Sequence, residues 1–518
     1  MTEPARKSRR GGGRSARHVA RASALPDELK PVKPGFEGGR YKPLSEADVQ
    51  KVHKGALDVL ANIGMGEVPE VLVERATALG VEYDDRGRLL FSHDFVEDIL
   101  AGAARNIVFH GRDPKHDIEI TGRKVYFGTG GAAVRTLDFE NNSYRPSTLA
   151  DLYDFARLAD SLENISWFTR NIVATDVEDI LELDINTAYA IAAGTTKPIG
   201  TSFFTGEYVY PVVEMFDAIL GGEGKFRQRP FCKVHISPVV SPLRYGEDAV
   251  SVALAAIDVG MPINEIIAAQ SGATGPAPPA AMLVQSLAET LAGLIMVNIF
   301  KPGHPTIFSN WPFVIDLRTG AFAGSGGEIS VLNAAAAQMA GFYGLPGGVS
   351  ASMADAKRPG AQAGMEKAIS SLATGLAGGN MIYESAGMFA SLLGASFEGM
   401  VIDNEMLGMV HRVIRGIEVS EDTMGLDVIE DVVFGAGHFL GHDQTIASMQ
   451  RDYLYPDLAG RESPDAWEEI GGEGMSARAH RRVQEILGAP APAYIDPAVD
   501  ATIRERFNIL LTRDRMGW

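Results

Sequence analysis

Apolar residues recur with helical spacing between Ser45 and Ile63, where Val49, Val52, Ala56, Val59 and Leu60 share one face behind Ser45 as N-cap. A second helix is expected over about 67–79. Short strand-like runs follow at Leu89-Leu90-Phe91, Ile107–His110, Ile118–Ile120 and Val125–Phe127, separated by Asp, Gly and Pro. This pattern reads as a small α+β region ahead of the main body. From about Asn164 the rhythm changes, and short β-rich runs alternate with amphipathic helical stretches. The runs begin near Ile165, Lys197, Phe231, Ile263, Pro305, Pro346, Asn380 and Gly399, 32 to 42 residues apart except for the last, at 19. Seven to eight strand–helix units over roughly 250 residues match an α/β fold of the (β/α)8 TIM-barrel type in count and length. An open doubly wound sheet is the alternative, but no G-x-G-x-x-G turn follows an early strand. The expected division is a basic arm over 1–40, an N-terminal α+β region over 41–160, the barrel over 161–417 and a C-terminal helical extension over 418–518.

Composition narrows the class. Of 518 residues 46% are hydrophobic and 22% charged, as in ordinary folded proteins. The formal charge of −19 repels phosphate backbones, so no nucleic-acid partner is expected. The lone Cys232 can form neither an intrachain disulfide nor a thiolate zinc cage, which suits a cytoplasmic location. The most apolar stretch, Pro279 to Phe300, carries Glu289, Gln285 and Asn298 and is read as a buried core helix, so no membrane partner is expected. The arm, with seven arginines and lysines between Arg6 and Arg21, lacks an apolar signal region and is read as a solvated tail. Its other reading is a contact with an acidic partner or with a neighbouring subunit of a homo-oligomer.

In a barrel of this kind the chemistry gathers where the strands end. Those ends carry Arg170 and Asn171, Phe203 and Phe204, His235, Phe308, Asn310 and Trp311, Ser350 and Ser352, Glu384, and Asp403 with Asn404. They show no metal-ligand spacing, no paired-carboxylate motif and no G-x-S-x-G elbow, so no metal site is expected. His438 and His442 lack the Glu of H-E-x-x-H and are read as structural. Trp311, Phe308, Phe203 and Phe204 are raw material for a cage around a quaternary ammonium, although aromatics in strands are most often plain core. A carboxylate on the same ligand would need a cation or N–H donors, and Arg170, His235 and His304 are the ordered candidates. His304, between Gly303 and Pro305, reads equally well as a residue of the opposite, bottom rim.

The densest polar loop is Ser352-x-x-Asp355-Ala-Lys-x-x-x-x-Gln362-Ala-Gly-x-Glu366-Lys. With Leu376-Ala-Gly-Gly-Asn-x-Ile382, Val401-Ile-Asp-Asn-Glu405, Arg415-Gly-Ile-Glu and Gly437-His-Phe-Leu440, it resembles the trimethylamine methyltransferase superfamily from about Leu44 to Arg461. The resemblance implies a (β/α)8 barrel that moves a methyl group from a methylated amine to the cobalt of a partner corrinoid protein. Founding members carry pyrrolysine, whereas Leu345-Pro-Gly-Gly-Val-Ser-Ala-Ser352 holds only standard residues. The chain therefore is similar to the branch without pyrrolysine, whose members demethylate glycine betaine and related quaternary amines. Relatives often have His-Thr where this chain has Gln444-Thr445.

On the loop and helix after the sixth strand, Asp355, Gln362 and Glu366 are the catalytic candidates, expected at the open mouth of the barrel in contact with the substrate or the incoming corrinoid. Trp311, Phe308, Phe203, Phe204, Arg170, His235, Asn310, Ser352 and Glu384 are the substrate-binding candidates. A quaternary ammonium already carries a good leaving group, so transfer to Co(I) requires alignment and desolvation rather than a general base. The alternatives are tetrahydrofolate as direct acceptor, and a non-catalytic barrel that binds betaine or a corrinoid.

Overall fold

The computed structural model describes residues 41–417, 419–440, 442–445, 448 and 452–518. The basic arm lies outside the described residues. Eight parallel strands form the core: β1 Tyr126–Phe127, β2 Phe168–Thr169, β3 Ile199–Thr201, β4 Cys232–Ile236, β5 Ile263–Ile267, β6 Thr306–Asn310, β7 Gly347–Ser350 and β8 Met381–Tyr383. Their order in the sheet is β1-β8-β7-β6-β5-β4-β3-β2. A parallel bridge between Gly128 and Trp167 joins β1 to β2 and closes the cylinder. The eight helices that follow the strands are α1 Leu149–Ser161, α2 Ile180–Gly194, α3 Val209–Ile219, α4 Glu247–Val259, α5 Pro279–Phe300, α6 Gly327–Tyr343, α7 Ala361–Ala377 and α8 Phe397–Arg415. This is a (β/α)8 barrel.

The strand count needs one correction at each end. The run beginning at Gly399, expected as the eighth strand, lies inside α8, where the Ser396 side chain caps the helix by accepting from the Gly399 amide at 3.0 Å. The first strand is Tyr126–Phe127, which the sequence pattern places in the preceding α+β region. Only two residues long and followed by Gly128-Thr-Gly-Gly131, it carries too few side chains to show a period of two. The barrel therefore begins near 126 rather than 161.

Helix α5 shows how an apolar span is kept inside a globular body. It is buried between the barrel and the N-terminal helix Glu46–Asn62. Among the described residues it is the one helix long and apolar enough to cross a membrane, and most of it is covered by protein. Its one acid, Glu289, accepts from the Ser241 hydroxyl at 2.6 Å, the Leu243 amide at 2.9 Å and Gln285 Nε2 at 3.0 Å. Without those donors a buried carboxylate would cost several kcal/mol.

The two ends of the barrel are closed differently. The hairpin Ile107–Phe109 with Ile118–Ile120 covers the bottom, and Arg112 donates there to the Thr195 carbonyl at 2.7 Å, just before β3. The top, where the strands end, is ringed by short hairpins. These are Arg135–Asp138 with Ser143–Pro146, Val239–Val240 with Arg244–Tyr245, Phe313–Ile315 with Phe322–Ala323, and Met388–Phe389 with Gly394–Ala395. The C-terminal extension straps the outside. Arg157 of α1 donates to the carbonyls of Ile486, Leu487 and Ala489, and buried Asp500 gathers Tyr189, Arg504 and Arg513.

Candidate active site

Alternation along the strands decides which side chains enter the barrel. Lys233 and His235 of β4 point inward together with Thr169 of β2 and Trp167 just before it. A Cβ on Gly200 of β3 would lie 2.6 Å from Thr169 Oγ1, 2.8 Å from Lys233 Nζ and 3.2 Å from His235 Nε2, so only glycine lets these groups meet. Gly128 does the same for the Trp167 indole, which a Cβ would approach to 2.2 Å. Tyr383 of β8 is the hub. Its ring centroid lies 5.2 Å from Trp167, 5.2 Å from Trp311 and 5.3 Å from His235. Ser309 donates to Asn264 across the opposite wall. Above this layer the mouth is open, with Ser237 and Ala268 exposed and Arg170, Ser202 and Ile266 half-buried.

The electrostatics of the mouth are set by burial. His235 is held well below the usual histidine range by desolvation, reinforced by Lys233 and Arg170, so its imidazole is neutral. Glu384 follows Tyr383 in a left-handed conformation (φ 61°) and accepts from the Ser350 hydroxyl at 2.9 Å. Burial pushes its carboxyl up to about 7. The Arg170 guanidinium makes no hydrogen bond or ion pair with any described residue, since its nearby carboxylate, Asp184 of α2, is turned to the Phe204 amide at 3.1 Å. Burial pushes the Asp184 carboxyl up to about 7. Arg170 is thus a guanidinium with free donors beside an open mouth. Among the described residues no group of three or more His, Cys, Asp or Glu is arranged to hold a metal ion.

Several expected site residues sit elsewhere. Phe308 faces outward and packs its ring 5.9 Å from Tyr343 of α6, because it alternates with the inward Ile307 and Ser309. Asn310 has the same parity as Phe308 and is buried without a partner for its amide. Phe203 is half-buried against the main core, and Phe204 is 52% exposed at the rim. Ser352 lies behind the wall, its amide donating to Ser370 Oγ at 2.9 Å and its hydroxyl to the Ser385 carbonyl at 3.3 Å. His304 is at the bottom rim, with Nε2 3.0 Å from the Met261 carbonyl. Of the tail histidines, His442 accepts from the Gln444 amide at 3.1 Å and lies 3.8 Å from Asp431.

The dense polar loop after β7 organises the mouth without reaching into it. Asp355 accepts from the Gly324 amide at 2.7 Å, the Ser325 hydroxyl at 3.0 Å and the Ser391 hydroxyl at 2.6 Å, tying together the loops after β6, β7 and β8. Gln362 and Glu366 stand on the outer side of α7, where Glu366 accepts from Gln362 at 2.8 Å and from the Ala356 amide at 3.1 Å. Lys367 completes the brace, donating to Asp403 at 3.0 Å and to the Ser352 carbonyl at 2.8 Å.

Residues 10–509 match the family model described as trimethylamine methyltransferase (MTTB). The chain belongs to this family. It is 30% identical over 468 residues to the glycine betaine methyltransferase of Desulfitobacterium hafniense strain Y51, covering 90% of this chain and 96% of that protein. It is 28% identical over 469 residues to the trimethylamine methyltransferase MttB of D. hafniense DCB-2, covering 90% and 94%. It is 31% identical over 466 residues to MttB2 of Methanosarcina mazei, covering 88% and 92%. As a member of the trimethylamine methyltransferase family the protein is an enzyme that transfers methyl groups. In this member the inward layer joins the expected His235 to Trp167, Thr169, Lys233 and Tyr383, which were not among the expected site residues. The signal for Lys233 was present in Phe231-Cys-Lys-Val-His235, where a lysine stands inside an apolar strand two residues from the inward histidine.

Proposed function

We propose that the protein removes a methyl group from a quaternary amine of the glycine betaine kind and passes it to the Co(I) of a partner corrinoid protein. The observation that carries this reading is the meeting of Trp311 and Tyr383, 5.2 Å apart, with the unpaired Arg170 at one end of the barrel. The aromatic faces suit an ammonium that cannot donate hydrogen bonds, at roughly 0.5–2 kcal/mol per good ring. Arg170 suits the carboxylate at the other end of a betaine. During transfer the nitrogen–methyl bond breaks and its electron pair stays on nitrogen as the lone pair of a neutral tertiary amine. The acceptor supplies the attacking electron pair when bound. The protein therefore aligns the donor, excludes water and keeps His235 neutral, and needs no proton transfer to the leaving group. The carboxyl of Glu384 offers a compensating negative charge close to the Tyr383 face.

The acceptor has to arrive from the open end, which is rimmed by Phe204 and Leu393, 52% and 62% exposed. A homo-oligomer accords with the segment 417–440, where Ile417, Leu426, Phe434 and Leu440 are 70% or more exposed. The test is incubation with glycine betaine and cob(I)alamin, following methylcobalamin by absorbance, with tetrahydrofolate in a parallel arm. Methylation from betaine and not from trimethylamine is the expected result. Tight betaine binding without transfer to either acceptor overturns the catalytic reading in favour of a binding protein.

A further inference from the structure

Among the described residues three lysines are buried in or around the barrel, and one stands apart. Lys197 donates to three carbonyls, of Ala159, Leu162 and Ile165, and Lys367 pairs with Asp403. Lys233 has no exposed surface, and its Nζ donates to a single neutral acceptor, Thr169 Oγ1 at 3.0 Å. Its other neighbours are ring faces: Phe109 at 4.7 Å, Tyr383 at 5.1 Å and Trp167 at 5.8 Å from their centroids. No carboxylate pairs with it among the described residues. The groups around it are Cys232, whose thiol burial pushes up to about 12, the neutral His235, Arg170 on β2 and, past Tyr383 on β8, Glu384. Burial without a counter-charge brings the Lys233 ammonium down to about 7.

We infer that Lys233 is a proton-exchanging floor of the substrate site, which holds an ammonium in its own aromatic cage when the mouth is empty and gives up that proton when a cationic substrate settles above Tyr383. The inference rests on the proposed quaternary-amine substrate. Tyr383 is the shared neighbour, its ring 5.1 Å from Lys233 Nζ and 5.2 and 5.3 Å from the rings of Trp311 and His235. Two unit charges about 9 Å apart at an effective dielectric of about 20 oppose each other by roughly tenfold in affinity or more. The exit route is also present: Thr169 Oγ1 lies 3.4 Å from His235 Nε2, so the hydroxyl links the amine to the imidazole at the edge of the mouth. The proton goes to solvent on binding. It returns after transfer, when the product nitrogen is uncharged, so the overall reaction balance is unchanged and re-formation of the ammonium opposes rebinding of any cation.

The experiment is calorimetry of glycine betaine binding at pH 7 in two buffers of different ionisation enthalpy, alongside 3,3-dimethylbutanoate, the neutral isostere with the same carboxylate. Release of about half a proton with betaine and none with the isostere is expected for a group titrating near 7. Glu384 would release a proton to a cation with the same sign, so Glu384→Gln is measured in parallel and should keep most of the release. Asp184 responds to the carboxylate through Arg170 and cancels between the two ligands. Lys233→Met should lose the release, and its betaine affinity should be nearly flat from pH 6 to 8, where that of the wild type rises about tenfold. If Lys233→Met does not fold, release that survives in Glu384→Gln upholds the inference. Unchanged release in folded Lys233→Met, or betaine binding by the wild type without release, overturns it. A wild type that binds no quaternary ammonium at any pH refutes the functional reading, and the inference falls with it.

Discussion

Replacing Asp355 by Ala separates a positioning role from a chemical one. The carboxylate receives three hydrogen bonds from two loops: from Gly324 and Ser325 after β6, and from Ser391 after β8. The last of these lies within Ala390-Ser391-Leu392, three consecutive non-glycine residues with φ of 50°, 54° and 73°. A left-handed L-residue costs roughly 1–2 kcal/mol, so the turn stores about 3–6 kcal/mol that its contacts must offset. Two backbone bonds help, from the Ala390 amide to Ala356 and from the Ser391 amide to Ala354. The carboxylate contributes a further share, since bonds to a charged group are worth about 1.5–3 kcal/mol each and this site is only half-buried. Its loss should favour opening of the 388–395 hairpin by about 2–4 kcal/mol, a thirtyfold or greater rise in hydrogen exchange of those amides, with little change in global melting. Methyl transfer should fall in proportion and recover in part in Asp355→Asn, which still accepts from Ser391. Loss of transfer with unchanged exchange at 388–395 would refute the positioning account and return Asp355 to direct contact with the reacting groups.

Three further outcomes follow from the same geometry. Trp311→Leu should reduce the preference for betaine over 3,3-dimethylbutanoate by about 2- to 30-fold, the range of one cation–π contact, and equal weakening of both ligands in a binding assay would make Trp311 a packing residue. Arg170→Ala should weaken betaine by tenfold or more while leaving choline, which has no carboxylate, within about twofold; equal effects on both would place the carboxylate elsewhere. Glu384 titrates near 7 in the folded protein against 4.5 for the free side chain, so the folded state binds more protons between those values and loses stability as pH rises through them. Glu384→Gln removes that loss, so its melting temperature relative to wild type should climb from pH 5 to pH 8, by an amount corresponding to about 3 kcal/mol at most. A pH-independent difference would mean that the carboxyl is ionised without penalty.

The repeating strand–helix rhythm was legible because seven of the eight strands carry enough apolar side chains to declare a period, from Phe168 to Tyr383. The eighth was misassigned, for opposite reasons at the two ends: Val125–Phe127 reads as a strand but of the preceding α+β region, and the run at Gly399 as the last of the barrel. Tyr126–Phe127 is a strand defined almost wholly by backbone pairing, through the amides of Tyr126 and Gly128 to the carbonyls of Asn380 and Ile382. Gly399-Met-Val-Ile has the composition of a strand but starts a helix because Ser396 caps it and Gly394–Ala395 has already turned the chain. The same contrast explains the site. Trp311, His235 and Arg170 could be named from the strand ends alone, since position at the mouth follows from the count. Trp167, Lys233 and Tyr383 lie within the strands, where parity rather than position decides between interior and wall, and a one-residue error in register exchanges the two. Phe308 and Lys233 are the two sides of that rule: an aromatic that reads as a cage residue turns to the helix, and a lysine that reads as out of place in a strand turns to the axis. An ionisable group inside an apolar strand, two residues from an inward histidine and without a counter-ion, is therefore a better pointer to the interior of a barrel site than an aromatic at its rim.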